Sequence, residues 1–456
     1  MMKLKLIILG SVLLNCSILS SGKAQTYYPG KVKPTEEFQK TFGGKDDDDA
    51  YGIIQTPDNG YMTVGTTASF GSGKSDVYVN KLDSTGNLEW SKAYGGLEDD
   101  YGRAIVHSGD GNVFVMGYTS SFDAEFKQIY VLKLNYEGSV LWSKTFGLDR
   151  SDYGTSMAST SDGGVVILGE TINDINGPKN SDILLIKLTK DGTIEWSKIY
   201  GGKSTDYGYS VSQTSDGGFI VGGETNSFGA GEWDCYLLKL DKDGKLEWSK
   251  TYGESKTDYG RVARQTSDGG YLMVGNTFNF GGADLDIMVV KTDAKGDIQW
   301  AKMYGGEKTE YVLNVDIKDK HVLLSGYTNS FGISVEDAFL LCMDENGKVS
   351  WGKTYGGVFD DHAISATITN NGGVIFSGRT ASFGVRKGDA FVVRTTLKYS
   401  NYLCNAKFFM PLIRNNLKVK TSSGAYEYDV HIIPEDVDTK TVSVVTAEQI
   451  LCTPHK

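Results

Sequence analysis

Carboxylates are the most regularly placed reactive groups in this 456-residue chain. Asp48, Asp100, Asp152, Asp206, Asp258, Glu310 and Asp361 recur at matching places along it. Asp76, Asp182, Asp234, Asp286, Asp337 and Asp389 form a second series, with Gln128 as the exception. A ring of acids at a channel mouth is cation-binding chemistry, whereas the same acids placed beside loops accept hydrogen bonds from backbone amides. Their presence in every repeat favours the scaffolding role, because what every unit carries is first what every unit needs to fold. The turn Asp241–Gly244 (Asp-Lys-Asp-Gly) has the outline of a calcium loop. Its counterparts, however, carry Thr85, Glu137, Lys295 and Asn346 where a third ligand would stand, and Lys295 would repel the ion. A hairpin turn is the expected role, and no metal site is expected.

Catalysis needs groups that converge. Of the histidines His107, His321, His362, His431 and His455, only His362 is expected on the ligand-facing rim, and neither a Gly-x-Ser-x-Gly nor a His-Glu-x-x-His motif is present. Glu170 and Glu224 form a carboxylate pair of the kind that does acid–base work on glycosides, though acids are common along this chain. No catalytic residue and no cofactor is assigned.

Recognition is more legible where the repeat breaks its own symmetry. Gly-x-Thr closes one strand of every repeat, and its middle residue varies freely: Thr66, Tyr118, Glu170, Glu224, Asn276, Tyr327 and Arg379. After the first-series acid the chain carries Tyr101, Tyr153, Tyr207, Tyr259 and Tyr311, but Asp49 and His362 in the first and last copies. Variable residues on a fixed frame are where binding is encoded. The ligand-binding candidates are therefore Trp233, Glu170, Glu224, Arg379, His362, Tyr118 and Tyr327. Trp233 is the one tryptophan outside the repeated position, suited to stacking on a sugar or anchoring a partner, or else to packing against the adjacent blade.

The frame itself follows from the other tryptophans. Trp90, Trp142, Trp196, Trp248, Trp300 and Trp351 are spaced 52, 54, 52, 52 and 51 residues apart, with Phe38 another 52 residues upstream. Such a period signals units that cannot bury their hydrophobic face alone. The copy Asp206–Tyr252 contains four β-prone runs, Tyr209–Thr214, Phe219–Glu224, Cys235–Leu240 and Leu246–Tyr252, separated by Gly, Asp, Asn and Ser clusters. A repeated four-stranded antiparallel unit of this length is a β-propeller blade. Seven copies of three strands appear, but the last lacks its Trp strand, while Phe38–Phe42 is a Trp-type strand with nothing before it. The chain is therefore read as an all-β, seven-bladed propeller closed by residues 38–42 pairing with Asp389–Thr396, which removes exposed sheet edges. Lys81, Lys133, Lys187, Lys239, Lys291 and Arg394, and the lysine two after each Trp, are expected to face outward.

The segments KLDSTGNLEW ending at Trp90, KLTKDGTIEW at Trp196 and KLDKDGKLEW at Trp248 resemble the tryptophan-docking motif of quinoprotein-like propellers, over roughly 360 residues. The resemblance implies that Phe38, Trp90, Trp142, Trp196, Trp248, Trp300 and Trp351 are blade-docking residues packed between neighbours. The repeat, with its DGG, SFG and YGG, also looks like secreted bacterial repeat proteins. The quinone-dependent members have eight blades and often a vicinal cysteine pair; this chain has seven repeats and no adjacent cysteines.

The N-terminus places Lys3 and Lys5 before an apolar run, Leu6–Leu14, and small residues ending at Ala24, the layout of a secretory leader over residues 1–24. Asn15 is a poor residue before Cys16 for lipidation, so export as a soluble protein is preferred to a lipoprotein. Loss of Lys3, Lys5 and Lys23 takes the formal charge from −11 to −14, which argues against nucleic acid and anionic membranes as partners. No other segment is long and apolar enough to span a bilayer. Residues 25–36 read as a linker, 37–397 as the propeller and 398–456 as a small β-rich appendage whose docking place is left open, with a disulfide between Cys404 and Cys452 a possibility in an oxidising compartment. The expectation is an exported, monomeric, non-catalytic scaffold that binds a protein or glycan through its asymmetric rim, in the periplasm, at the surface or outside the cell. The alternatives are an exported enzyme, carbohydrate-active or quinone-dependent, and an architectural envelope protein.

Overall fold

Each blade's second and third strands are buried on both faces, as in Phe219–Thr225 and Asp234–Leu240, because every blade is sandwiched between two others. The computed structural model describes residues 37–456 except 123–124, 149, 174–179, 279–283, 334, 385–386, 398–406, 410–411, 416–419, 423–425, 431, 433–434, 437–439, 444–446 and 453–456. The leader, the linker, Cys16 and Cys404 lie outside the described residues.

Seven antiparallel sheets form the ring. Blade 1 spans Gly52–Gly95, blade 2 Asp100–Phe146, blade 3 Asp152–Gly201, blade 4 Asp206–Gly253, blade 5 Asp258–Gly305 and blade 6 Glu310–Tyr355. Blade 7 takes three strands from Asp361–Thr396 and its fourth from Phe38–Gly43, in the register Phe38↔Arg394 to Phe42↔Ala390. The expected closure is therefore the observed one. Seven apolar clusters fill the seven seams, each drawing on two adjacent blades, so the core is a set of inter-blade layers.

The repeated residues are consumed by this scaffold. Each first-series acid accepts a hydrogen bond from the amide four residues before it, as Gly96 does to Asp100 (2.7 Å) and Gly202 to Asp206 (2.7 Å). Asp76 and Asp234 each accept two loop amides at 3.0 Å. Asp241 accepts the amides of Asp243 and Lys245, a hairpin turn. The rings of Trp90, Trp142, Trp196, Trp248 and Trp300 each reach the third-turn glycine of the next blade. A Cβ on Gly138, whose φ is +73°, would stand 2.8 Å from Cη2 of Trp90, and Phe38 meets Gly86 in the same way across the closure. Trp90 also donates to the Tyr136 carbonyl (3.1 Å) and Trp351 to that of Leu397 (2.6 Å).

The basic residues overturn one expectation. Lys81, Lys133, Lys187, Lys239, Lys291 and Arg394 do not face outward; all are buried. Lys187 reaches Asp162 (2.8 Å) and Glu195 (2.7 Å), and Lys239 reaches Asp216 (2.9 Å) and Glu247 (3.1 Å), so each ammonium clamps the first hairpin turn to the Trp strand. The long alkyl stem pays no penalty between blades, while the charge surfaces among half-exposed acids. The lysines two after Trp are not free of the core either: Lys92 donates to the Glu137 and Gly138 carbonyls of blade 2, and Lys353 is buried against Thr395.

The C-terminal segment is a belt. Lys407–Phe409 pairs with the fourth strand of blade 6, Leu412–Asn415 with blade 5, Lys420–Ser422 with blade 4, Tyr426–Asp429 with blade 3, Glu435–Asp436 with blade 2, Lys440–Ser443 with blade 1 and Ala447–Cys452 with Phe38–Gly43 of blade 7. Every blade thereby gains a fifth strand, in reverse order around the ring. Ile432 is buried in the cluster between blades 2 and 3. Among the described residues no helix is long and apolar enough to cross a membrane.

Candidate functional site

A bulge in the innermost strand builds the site. In blades 2 to 7 the pairing with the second strand slips by one residue, leaving Arg103, Thr155, Tyr209, Arg261, Leu313 and Ile364 as the extra residues; Tyr51 is their counterpart in blade 1. Bulges re-aim side chains beside functional sites. This one also explains the glycine of Gly-x-Thr: a Cβ on Gly117 would lie 1.6 Å from the Tyr101 carbonyl oxygen, so only glycine fits opposite the bulge.

The residues at this position differ in chemistry around the ring, from tyrosine and arginine to threonine, leucine and isoleucine. The innermost strands enclose a cavity of about 640 Å³, lined by residues from all seven blades, among them Tyr51, Arg103, Tyr118, Tyr153, Tyr209, Arg261 and Tyr311. The Arg103 guanidinium lies 4.1 Å from the centre of the Tyr51 ring and donates to the Tyr118 hydroxyl (3.1 Å). That of Arg261 lies 4.2 Å from the Tyr209 ring and donates to the Tyr311 hydroxyl. Tyr118 stacks on Tyr101 at 4.7 Å and meets Tyr153 edge-on at 5.3 Å, with the Lys127 ammonium 5.3 to 5.8 Å from all three rings.

The sequence-derived candidates divide. Tyr118 and Glu170 line the cavity. Glu224 is buried beside it, accepting the Tyr209 hydroxyl at 2.9 Å through one oxygen while the other has no hydrogen-bond partner. Burial, and then the neighbouring Glu224 charge, pushes Glu170 up to about 7. Burial also raises Glu224, against the opposing pull of Arg261 and Tyr209. The other candidates are not cavity-lining. Trp233 stacks flat on Tyr207 (5.6 Å, 6°) of its own blade. Tyr327 stacks on Tyr311 at 5.2 Å and on His362 at 4.5 Å, and His362 Nε2 pairs with Glu336 at 2.6 Å. Arg379 is spent on Asp47 (2.6 Å) and the Lys387 carbonyl (2.8 Å), closing the seam between blades 7 and 1.

Sequence reasoning missed Arg103, Arg261, Tyr51 and Tyr209. The signal was present: two residues after the Tyr position the chain reads Tyr51, Arg103, Thr155, Tyr209, Arg261, Leu313 and Ile364, as variable as the Gly-x-Thr position.

Ring, seams and axial cavity define a seven-bladed β-propeller whose chemical variety is gathered on its axis. A β-propeller repeat family model matches residues 89–123, the fourth strand of blade 1 and the first two of blade 2. The chain is 24% identical over 254 residues to the regulatory protein FlaEY of Caulobacter vibrioides, a match covering 50% of this chain; it spans about a quarter (26%) of that relative's length. Among solved structures it is similar to Sqt1 from Chaetomium thermophilum (TM-score 0.45, 11% identity, 80% of this chain and 99% of that one). It is also similar to the polysaccharide lyase Uly1 (TM-score 0.49, 10% identity, 82% of this chain and 94% of that one).

Proposed function

We propose that this protein is a binding scaffold that takes a saccharide at the mouth and along the axis of its propeller, without transforming it. One observation carries the reading: residues repeated in every blade are occupied in holding the blades, whereas the residues that vary converge on an axial cavity walled by tyrosine rings. Aromatic faces with a few polar groups between them suit sugar rings, which offer apolar C–H faces and hydroxyl edges. The leader-like N-terminus supports action outside the cytoplasm. A defined-glycan array probed with the full chain tests this. Retention of a saccharide by the wild type, weakened in Tyr118→Ala and Tyr153→Ala, supports it. Retention of none, or equal retention by the variants, refutes it, and capture of a protein partner through the same rings would replace the saccharide with a polypeptide.

A second reading is favoured by Glu170 and Glu224, since burial raises both carboxyls and the Glu224 charge raises Glu170 further, to about 7, where a carboxyl can give and take a proton near neutral pH. On that reading the protein is a carbohydrate-active enzyme. Turnover of a polysaccharide, abolished in both Glu170→Gln and Glu224→Gln, would establish it; no turnover across the array's saccharides removes it.

A further inference from the structure

Three arginines, Arg103, Arg261 and Arg264, and one carboxylate, Glu170, line the cavity of a chain whose formal charge is −11. Among the described residues neither Arg103 nor Arg261 has a carboxylate within ion-pair distance; their nearest partners are tyrosine hydroxyls and ring faces. Arg264 also lines the cavity, its guanidinium turned to the Ala263 carbonyl at 2.9 Å. The carboxylates whose charge reaches them, Asp49 for Arg103 and Glu224 for Arg261, form no ion pair with them, so each guanidinium keeps donors for an anion entering the cavity.

The two arginines are not equivalent. Arg261 feels the Glu224 charge, although its Nε has no hydrogen-bond partner. Arg103 stands on the side of blade 2, where Lys127, not itself a lining residue, places a second positive charge over the Tyr118 and Tyr153 rings that do line the cavity. Glu170 and Glu224 stand on the side of blades 3 and 4. The axis therefore has a basic flank and an acidic flank with aromatic rings between them. An anionic group is drawn to the first, and hydroxyl donors to the second.

We propose that the cavity selects an acidic saccharide, with a sugar carboxylate held by Arg103 and Lys127 and the ring seated against Tyr118 and Tyr153. The planar guanidinium fork matches a carboxylate's two oxygens. This rests on the saccharide-binding reading and adds the charge of the ligand to it.

The test is calorimetric titration of the full chain with trisaccharides of galacturonate, mannuronate and glucuronate, their methyl esters, the corresponding neutral trisaccharides, and acetate and phosphate alone. At least one acidic trisaccharide is expected to bind about tenfold to a hundredfold more tightly than its methyl ester, the range for loss of a charge-assisted hydrogen bond. Arg103→Gln and Lys127→Gln are each expected to remove that preference, so that the acid binds no more tightly than its ester, and thermal melts establish that the variants are folded. Acid and ester binding alike, or a preference kept in both variants, overturns the acidic selection and leaves saccharide binding standing. Binding of acetate or phosphate as tight as that of the sugars overturns both, as does binding of no trisaccharide.

Discussion

The ring of Trp90 rests on Gly138 of the following blade, at a residue whose φ is +73° and whose missing Cβ would lie 2.8 Å from Cη2. Glycine is required there twice over, for its left-handed backbone and for the ring above it. Gly138→Ala is expected to destabilise the propeller by about 1–3 kcal/mol through strain and overpacking. Urea unfolding checks it; an unchanged midpoint would show that the Trp ring does not depend on this seat.

The buried lysines make a second prediction. Lys239→Met keeps the apolar stem but frees Asp216 and Glu247 and leaves the Leu240 carbonyl without its ammonium (2.9 Å). Both acids are about half exposed, so water compensates them in part. The expected loss is about 1–2 kcal/mol, between the values for surface and fully buried pairs. A melt indistinguishable from wild type would mean that the clamp contributes nothing.

Two sets of carboxylates give the stability a maximum in acid. Burial pushes Asp152 and Asp206 up to about 6, outweighing the hydrogen bonds they accept. Between pH 4 and 6 the folded state therefore binds more protons than the unfolded one, and stability falls as pH rises through that window. Asp162, Asp216 and Asp268 go the other way: burial raises them, but bonds from lysine, threonine and a turn amide prevail and bring each to about 2. Their contribution is present above pH 4 and is lost as pH falls towards 2. Melting temperature should rise from pH 7.5 to about 4.5 and drop below about 4; a steady decline from neutral pH contradicts this.

Truncation after Leu397 strips the fifth strand from all seven sheets and exposes their outer edges. Unpaired edges template association. The truncated protein is expected to melt lower and to form higher oligomers by light scattering. A monomer of wild-type stability would show that the belt is dispensable.

The ring was legible because each of its causes repeats. The Trp series, the turn glycines and the missing fourth strand of blade 7 state the blade count and the closure directly. The axial residues were not, because alternation along a strand predicts which face a side chain takes only while the pairing stays regular. The bulge at Arg103 and Arg261 breaks that alternation, so their place on the axis depends on a slip against Gly117 and Gly275 that no period reports. The lysines misled for a related reason: a charge within an apolar strand reads as a solvent-facing position, yet the carboxylates that accept it, such as Asp216 for Lys239, lie on a separate hairpin turn. The belt has no repeat of its own, since its strands take their order from the blades they meet.

The most direct test of saccharide recognition on the axis is a crystal structure of the full chain with the tightest-binding trisaccharide. The account predicts sugar density inside the cavity, in contact with Tyr118, Tyr153 and Arg103. Sugar bound only elsewhere on the ring, with the cavity holding water alone, would contradict it.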